Sequence, residues 1–343
     1  MDWKSVIVML VKVLGAQLFV VAGVVPIMIW AERRVVARIQ QRVGPNRAGP
    51  LGILQPLADF VKLVMKEKIA PAEADRGLYL LAPLVCGVPA FLGMLVIPYS
   101  VGPHGYVTRI PVSALLVLAI AGVQVYGLFL AGWASRSKYP LLSALRSSAQ
   151  MISYELALST LVLVPALMAG SLDLATIVER QQVGILDWHV FHYFPLAVLP
   201  FLLMVITIHA ETNRTPFDLP EAEAELVAGF HTEFSSMRFA VFFMAEYAAM
   251  WNMSALTVSL YLGGWGGPGV GMLFSGGHAF AAFIIGCVYF VAKCAALMLL
   301  FVWVRGTLPR LRYDQLMSFS WKGLLPAALL SMVLIAVAMT FAS

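Results

Sequence analysis

The sequence predicts an all-α, polytopic integral membrane protein with eight transmembrane helices and one interfacial amphipathic helix. Three observations carry that reading. Of 343 residues, 61% are apolar and only 12% charged, against roughly 25% charged in soluble domains. The apolar residues gather into eight long runs, and a spanning helix needs roughly 20 mostly apolar residues. Lys and Arg concentrate in alternate connections between those runs, as the positive-inside rule requires of a spanning chain.

The runs cover about residues 6–30, 78–98, 112–133, 149–169, 193–210, 239–262, 280–304 and 323–342. The first is too long for a signal-peptide core and no small-x-small cleavage site follows it, so it reads as a helix. The fifth is the shortest. With eight spans, the connections 31–77, 134–148, 211–238 and 305–322 share one side. They hold nine, three, two and four basic residues in turn, 18 of the 23 present. That side is cytoplasmic, or the matrix or stromal side of an organelle membrane, and both termini face away from it. Residues 1–343 read as one transmembrane domain, without a soluble domain, a low-complexity linker or an internal repeat.

The connection 31–77 has two parts. Glu32-Arg33-Arg34 through Arg38 and Arg42 continue the opening helix, which breaks at Gly44-Pro45-Asn46-Arg47-Ala48-Gly49-Pro50. A short helix then runs from about 51 to 68. Gln55, Asp59, Lys62 and Lys66 fall on one stripe of it, and Leu54, Leu57, Val61, Val64 and Met65 on another. Two such faces suit the membrane interface, where a lipid-soluble substrate could slide its tail between this helix and the first span. Simply covering the bundle end is the alternative.

A third of the acidic residues lie in one basic-side connection: Glu211, Asp218, Glu221, Glu223, Glu225 and Glu233, with Arg214 as the base among them. Carboxylates this dense beside a bilayer repel one another and are costly to desolvate, so some should hold raised pKa values. Asp218 stands three before Glu221, which fits a helix N-cap, and the helix dipole favours acids in a first turn. That accounts for part of the cluster but not for all six. Glu155, Glu246 and Lys293 lie inside apolar runs, and Glu211 closes the fifth. A charge at the bilayer centre costs about 2.5–3.5 kcal/mol or more, so these groups face the bundle interior and find partners. Together with the acidic connection they read as a proton path whose carboxylates titrate as a group. A Glu–Lys pair fixing helix packing is the alternative for any one of them.

Cys86, Cys287 and Cys294 sit in apolar runs without paired spacing and read as packing residues. No iron–sulfur ligand set, dinucleotide-binding glycine pattern or P-loop is present. Electrons for any redox reaction must therefore come from a partner. His189 and His192 form a pair in a connection on the other side, where a metal site is the minor reading.

These residues also resemble a known family. Glu32-Arg33, Gln41-Arg42-Val-Gly-Pro-Asn46, Gly49-Pro-Leu-Gly-Ile-Leu-Gln55-Pro-Leu-Ala-Asp59 and Lys66-Glu67 are similar to the first loop of the H-type membrane subunits of respiratory complex I, the NADH-quinone oxidoreductase. So are Gly132-Trp-Ala-Ser-Arg-Ser-Lys-Tyr-Pro140, Ala149-Gln-Met-Ile-Ser-Tyr-Glu155 and Ala210-Glu-Thr-Asn-Arg-Thr-Pro-Phe-Asp-Leu219. Glu221-Ala-Glu-Ala-Glu-Leu-Val-Ala-Gly-Phe230, Phe243-Met-Ala-Glu-Tyr247, and Trp303-Val-Arg305 through Pro309 to Met317 complete the match, which runs in order from 30 to 323.

The resemblance implies eight core spans around a quinone chamber shared with peripheral subunits. The quinone would be ubiquinone, menaquinone or plastoquinone, and FMN and iron–sulfur clusters would sit on those partners, none on this chain. Glu32, Arg33, Arg42, Asp59 and Arg305 would line the quinone passage. Glu211, Asp218, Glu221, Glu223 and Glu225 would form an acidic funnel, continued by Glu155 and Glu246 towards antiporter-like membrane subunits. The chain would be a subunit of an H+-translocating enzyme in a bacterial cell membrane or an organelle inner membrane, with membrane lipid around it and no nucleic acid. Similar subunits serve membrane-bound hydrogenases and ferredoxin-linked dehydrogenases, and the full Arg-Val-Gly-Pro-Asn and Pro-Phe-Asp-Leu strings favour the quinone-reducing branch. A stand-alone cation/proton transporter would use the intramembrane Glu and Lys but gives no reason for the Arg-bordered amphipathic helix. A passive scaffold would bind no quinone at Asp59 or Arg42.

Overall fold

The computed structural model describes residues 3–182, 184–218 and 228–342. Glu221, Glu223 and Glu225 lie outside the described residues, as does the helix that Asp218 was expected to cap. Among the described residues the fold is helical, with no strand. The opening rod is α1 (Trp3–Leu18), a π-helical stretch (Phe19–Val24) and α2 (Val25–Ile39). Pro26 lies in the first turn of α2 and lacks the N–H that an α-helical ladder needs, so the ladder widens just before it. Between this rod and the C-terminal one lie, in chain order, α3 (Gln55–Met65), α4 (Arg76–Leu92), α5 (Ser113–Ala134), α6 (Lys138–Ala169), α7 (Leu174–Glu179), α8 (His189–His192), α9 (Val198–Glu211), α10 (Ser236–Tyr261), α11 (Val270–Ser275) and α12 (Ala279–Thr307). The widened ladder recurs at the end. There α13 (Tyr313–Phe319) passes through a π stretch (Ser320–Leu324) into α14 (Leu325–Ala342), with Pro326 at its second position.

The expected amphipathic helix is α3, shorter at both ends than the sequence suggested. Leu57, Val61, Val64 and Met65 form an exposed apolar strip on it, which a bilayer surface would cover. A tight turn precedes it, with Leu51 at φ 56, a conformation a branched side chain rarely takes. The Leu51 carbonyl accepts from Trp30 Nε1 at 3.0 Å and from Arg34 Nη1 at 2.6 Å, so two α2 side chains hold the turn.

Six helices among the described residues are long and apolar enough to cross a membrane: Ile7–Ile39, Arg76–Leu95, Ser113–Ala134, Lys138–Ala169, Ala279–Thr307 and Tyr313–Phe341. The chain is thus a polytopic membrane protein. The two other expected spans differ for physical reasons. The fourteen residues of α9 rise about 21 Å, short of a hydrocarbon core of about 30 Å. α10 is long enough, but residues 247–261 are buried all round, with Asn252, Ser254, Thr257 and Ser259 inside. A helix enclosed by protein does not have to be as apolar as one facing lipid.

Around α10 pack α4, α9 and α12; α5 joins α4 to α6, and α6 receives α9 and α14. Close approach of α4 and α5 depends on Gly127, where a Cβ would lie 2.5 Å from the Cys86 nitrogen. Lys293 of α12 meets α10 at the end away from the basic connections. Its Nζ donates to the carbonyls of Leu262, Gly264 and Gly266 at 2.6, 3.0 and 2.6 Å and lies 4.1 Å over the Trp188 ring. Those carbonyls follow a helix C-terminus, where a cation is favoured. Lys293→Met is therefore expected to lower stability by about 1–3 kcal/mol, since three partly buried acceptors lose their donor; an unchanged melting temperature would show the cap to be dispensable.

Candidate functional site

The ionisable groups of α2, α9, α10 and α12 meet at the basic end of the bundle. Glu32, buried on α2, is the hub. It accepts from Arg214 Nη1 at 3.3 Å to each oxygen and from Tyr247 Oη at 2.8 Å, and it pairs with Arg305 of α12. Arg214 is itself buried (4% exposed) in the turn after α9. Its Nε lies 2.7 Å from Glu246 Oε1, and its guanidinium stands 4.6 Å over the Tyr247 ring. Burial alone would pull the Arg214 pKa down, but Glu246 and Glu32 outweigh it and hold the value well above the ordinary one. The result is a charge-balanced quartet of two carboxylates and two guanidiniums, which is how buried charge is tolerated.

Gln150 holds the turn that carries Arg214. It is completely buried on α6, and its Nε2 donates to the carbonyls of Ala210 and Phe217 at 3.0 and 2.9 Å. Both ends of the segment bearing Glu211 and Arg214 are thereby tied to one amide. Arg214 N–H donates to the His209 carbonyl at 3.1 Å, and Phe217 N–H to the Arg214 carbonyl at 2.9 Å, closing the turn within itself.

Glu211 differs from the quartet. It is 3% exposed, and neither carboxylate oxygen has a hydrogen-bond partner among the described residues. Glu155, half-buried on α6, is near enough for the two to repel. Glu155 reaches that position because α5 presents Gly122, where a Cβ would stand 2.8 Å from Glu155 Oε1. Between Glu211 and Glu246 lies a cavity of about 60 Å³, also lined by Gln124, Thr212, Asn213 and His231. That is room for a small cluster of waters with several polar partners. The Glu211 oxygens are sealed from that space, so proton transfer between the carboxylates would need a small side-chain movement as well as the water bridge.

Asp218 pairs with Arg310 at 2.9 Å. His231 is close by; burial pushes its imidazole down to about 4, against the opposing pull of Asp218. Unfolded, the ring takes up its proton near pH 6.5; folded, only near 4. The unfolded chain then binds more protons across that window, so stability is lost as pH falls from 6.5 towards 4. His189, held to the Leu260 carbonyl at 2.8 Å and likewise pushed down to about 4, acts in the same direction. His231→Gln is expected to flatten part of the acid limb of a Tm-against-pH curve; an unaltered slope would rule out a buried neutral ring.

Where α2 meets α3, Arg33 Nη1 meets Asp59 Oδ2 at 2.5 Å, and Gln55 Nε2 donates to Asp59 Oδ1 at 3.2 Å. α2 is thus tied to α3 beside the exposed apolar strip. Arg42 donates to Gln40 at 2.7 Å and shares a cleft of about 200 Å³ with Arg34, Arg38 and Asn46. Of the residues picked from the sequence, the structure joins Glu32 to Arg305, Arg33 to Asp59, and Glu246 and Glu211 to one cavity, with Glu155 beside Glu211. Lys293 stands apart at the other end of α10. Arg214, Tyr247, Gln150 and Gln124 were missed as participants. Among the described residues, no group of three His, Cys, Asp or Glu is placed to hold a metal ion.

The NADH dehydrogenase family model matches residues 11–336. The chain belongs to that family. Curated relatives agree across nearly the whole length. The chain is 42% identical to the second of the H-type NADH-quinone oxidoreductase subunits of Koribacter versatilis, over 96% of both chains. It is 44% identical to the H-type NADH-quinone oxidoreductase subunit of Rhodospirillum rubrum, over 97% of this chain and 94% of the relative. The corresponding Frankia alni protein is 49% identical over 89% of this chain and 67% of its own length. The family's membrane character agrees with the six apolar helices, and the charged network and the cavity are what this member builds at its basic end.

Proposed function

We propose that this chain is the quinone-binding membrane subunit of a proton-pumping NADH:quinone oxidoreductase, and that it converts quinone reduction into proton movement through its buried carboxylates. It spans the membrane eight times, with the short α9 and the enclosed α10 completing the six apolar helices. The basic end is cytoplasmic and both termini lie opposite. FMN and iron–sulfur clusters on peripheral partners deliver the electrons, and antiporter-like membrane subunits receive the coupling signal.

The observation that carries the reading is the bridge from Glu32 through Arg214 to Glu246, which opens onto the cavity of Glu211. Glu32 directly precedes Arg33 on α2, and Arg33 is tied to Asp59 of α3; a quinone head would approach between these two helices. Reducing a quinone to the quinol consumes two electrons and two protons. Any change of charge there alters how strongly Arg305 holds Glu32. Glu32 then competes differently with Glu246 for Arg214. A less neutralised Glu246 attracts a proton across the cavity from the Glu211–Glu155 pair, whose mutual repulsion makes the proton count sensitive to such a shift. Glu221, Glu223, Glu225 and Asp218 extend this acidic funnel, and Arg42 lines the outer passage. Lys293 would act only indirectly, by fixing the far end of α10.

Purification of the tagged chain in mild detergent tests the reading. Flavin- and iron–sulfur-bearing partners are expected, together with NADH-dependent quinone reduction. A nickel-bearing partner would move the chain to the hydrogenase branch. Cation flux by the isolated chain in liposomes would favour a transporter.

A further inference from the structure

One wall of the acidic cavity carries no acid. α5 lays Val117, Ala121, Gln124 and Leu128 along one buried stripe, at i, i+4, i+7 and i+11. Gln124 is the polar side chain of the four, and it stands near the middle of this 22-residue helix. It is 9% exposed and lines the cavity of Glu211 and Glu246. Its amide has no hydrogen-bond partner among the described residues, yet unlike the Glu211 oxygens its polar atoms are not sealed from water-sized space. A buried amide left unpaired is unfavourable, so water in the cavity is what satisfies it.

The neighbouring groups decide where that water lies. Asn213 Oδ1 is sealed as the Glu211 oxygens are, and the Thr212 hydroxyl donates to the Ile208 carbonyl at 2.8 Å. Glu246 of α10, its side chain 20% exposed, and His231 ahead of α10 line the same space as Gln124. Water there has the roughly two to four polar partners that hold it in place. Towards the other end of α10, a second pocket of about 10 Å³ also borders Gln124, lined by Gly93, Ala121 and Met253 among others. It is barely the size of one water. Its other amide is already committed: Asn252 Nδ2 donates to the Ala90 carbonyl at 2.6 Å, and Oδ1 is sealed. Among the described side chains, Gln124 alone would hold a water there. One partner is too few, so hydration stops at Gln124.

We propose that Gln124 is a positioning residue for proton movement, whose amide anchors the inner end of the water chain that meets Glu246. The inference rests on the coupling role given above. An amide both donates and accepts, so it holds the chain in either orientation and has no ionising proton of its own. The water stays aligned beside Glu246 while the small movement of Glu211 completes the path. A chain that ends at Gln124 also keeps the proton from straying towards the opposite face of the membrane.

X-ray radiolytic labelling of the intact complex tests the water directly, because hydroxyl radicals formed from ordered water oxidise the sulphur beside it. Met151 lines the cavity, Met253 lines the smaller pocket, and the fully buried Met204 lines neither. In the wild type, label above the Met204 background is expected on Met151 and not on Met253. Gln124→Leu removes the amide at similar size and should lower the Met151 label at least about threefold, with Tm unchanged or raised. Quinone reduction and pumping should fall at least about tenfold in kcat, with the quinone KM unchanged. Gln124→Asn keeps the amide and should bring back most of the label and the rate. If Leu prevents assembly, Gln124→Met, unbranched as Gln is, carries the same expectations. A Met151 label no higher than that of Met204, or one undiminished in Gln124→Leu, overturns the anchor. Normal turnover in a Leu variant that has lost its label overturns the positioning role, and label on Met253 overturns the stop. Each of these leaves the proposed function standing. A wild-type complex that labels as expected but reduces no quinone with NADH overturns the proposed function instead, and the contrast between Leu and Asn labels still decides the anchor.

Discussion

Arg214→Met is expected to cost about 3–5 kcal/mol of stability, the size of effect seen when one partner is removed from a buried ion pair. Glu32 and Glu246 both touch this guanidinium, so its loss removes the cation that two helices share. Glu32 keeps Arg305 and Tyr247; Glu246 loses the cation held 2.7 Å away. Thermal melting of the purified complex would show the deficit, and adding Glu246→Gln to the same chain should recover part of it. A coupling energy between the two changes of about 0.5–3 kcal/mol is the range for residues in contact; strictly additive effects would mean that the 2.7 Å pair contributes nothing. Arg214→Lys separates charge from geometry. A lysine restores one positive charge but not the fork that spans two carboxylates. Assembly should return while quinone reduction stays down by at least about tenfold, equivalent to roughly 1.4 kcal/mol of lost positioning. Full activity with Lys would remove the bridging role.

Apolar periodicity made most of the fold legible. The six helices long and apolar enough to cross a membrane stand out because crossing one requires a nearly unbroken apolar run, and α3 stands out because its polar and apolar residues fall on separate stripes. α9 was legible as a helix but not as a short one, and α10 was legible but not as an enclosed one, since burial inside protein leaves no special sequence mark. The site divides in the same way. Glu32, Glu155, Glu211 and Glu246 were visible because a carboxylate in an apolar run is costly and demands an explanation. How they pair was not visible. Arg214 bonds a residue 182 positions away, and Arg305 one 273 positions away, and no local spacing encodes such pairings. Lys293 read as part of the proton path, with a Glu–Lys pair as the alternative; in the structure three backbone carbonyls take its protons. Gln150 did leave a signal, a lone amide in an apolar stretch ahead of Glu155. Its role as a tie between Ala210 and Phe217 depends on the fold of a segment some sixty residues on.

Glu211→Gln should separate function from stability more cleanly than any other change. The wild-type side chain is buried with both oxygens unpartnered among the described residues and with Glu155 near enough to repel it. Burying an ionised carboxylate without a donor is strongly unfavourable, so the fold gains nothing from a charge at this position. Gln has nearly the same shape, cannot ionise and cannot hand on a proton. The complex is therefore expected to assemble with an unchanged or slightly raised melting temperature. Quinone reduction and proton pumping should fall together, by roughly the 10²–10⁴-fold range that a proton-transferring group supplies when that step limits the rate. Glu211→Ala should lower quinone reduction and pumping in the same way, at some cost in stability from the space it leaves, and Glu225→Ala tests whether the funnel continues beyond the described turn. Loss of pumping with electron transfer intact would place Glu211 downstream of the coupling step. Wild-type rates for both in an assembled Glu211→Gln complex would remove it from the mechanism and leave the Glu32–Arg214–Glu246 bridge to act without the cavity.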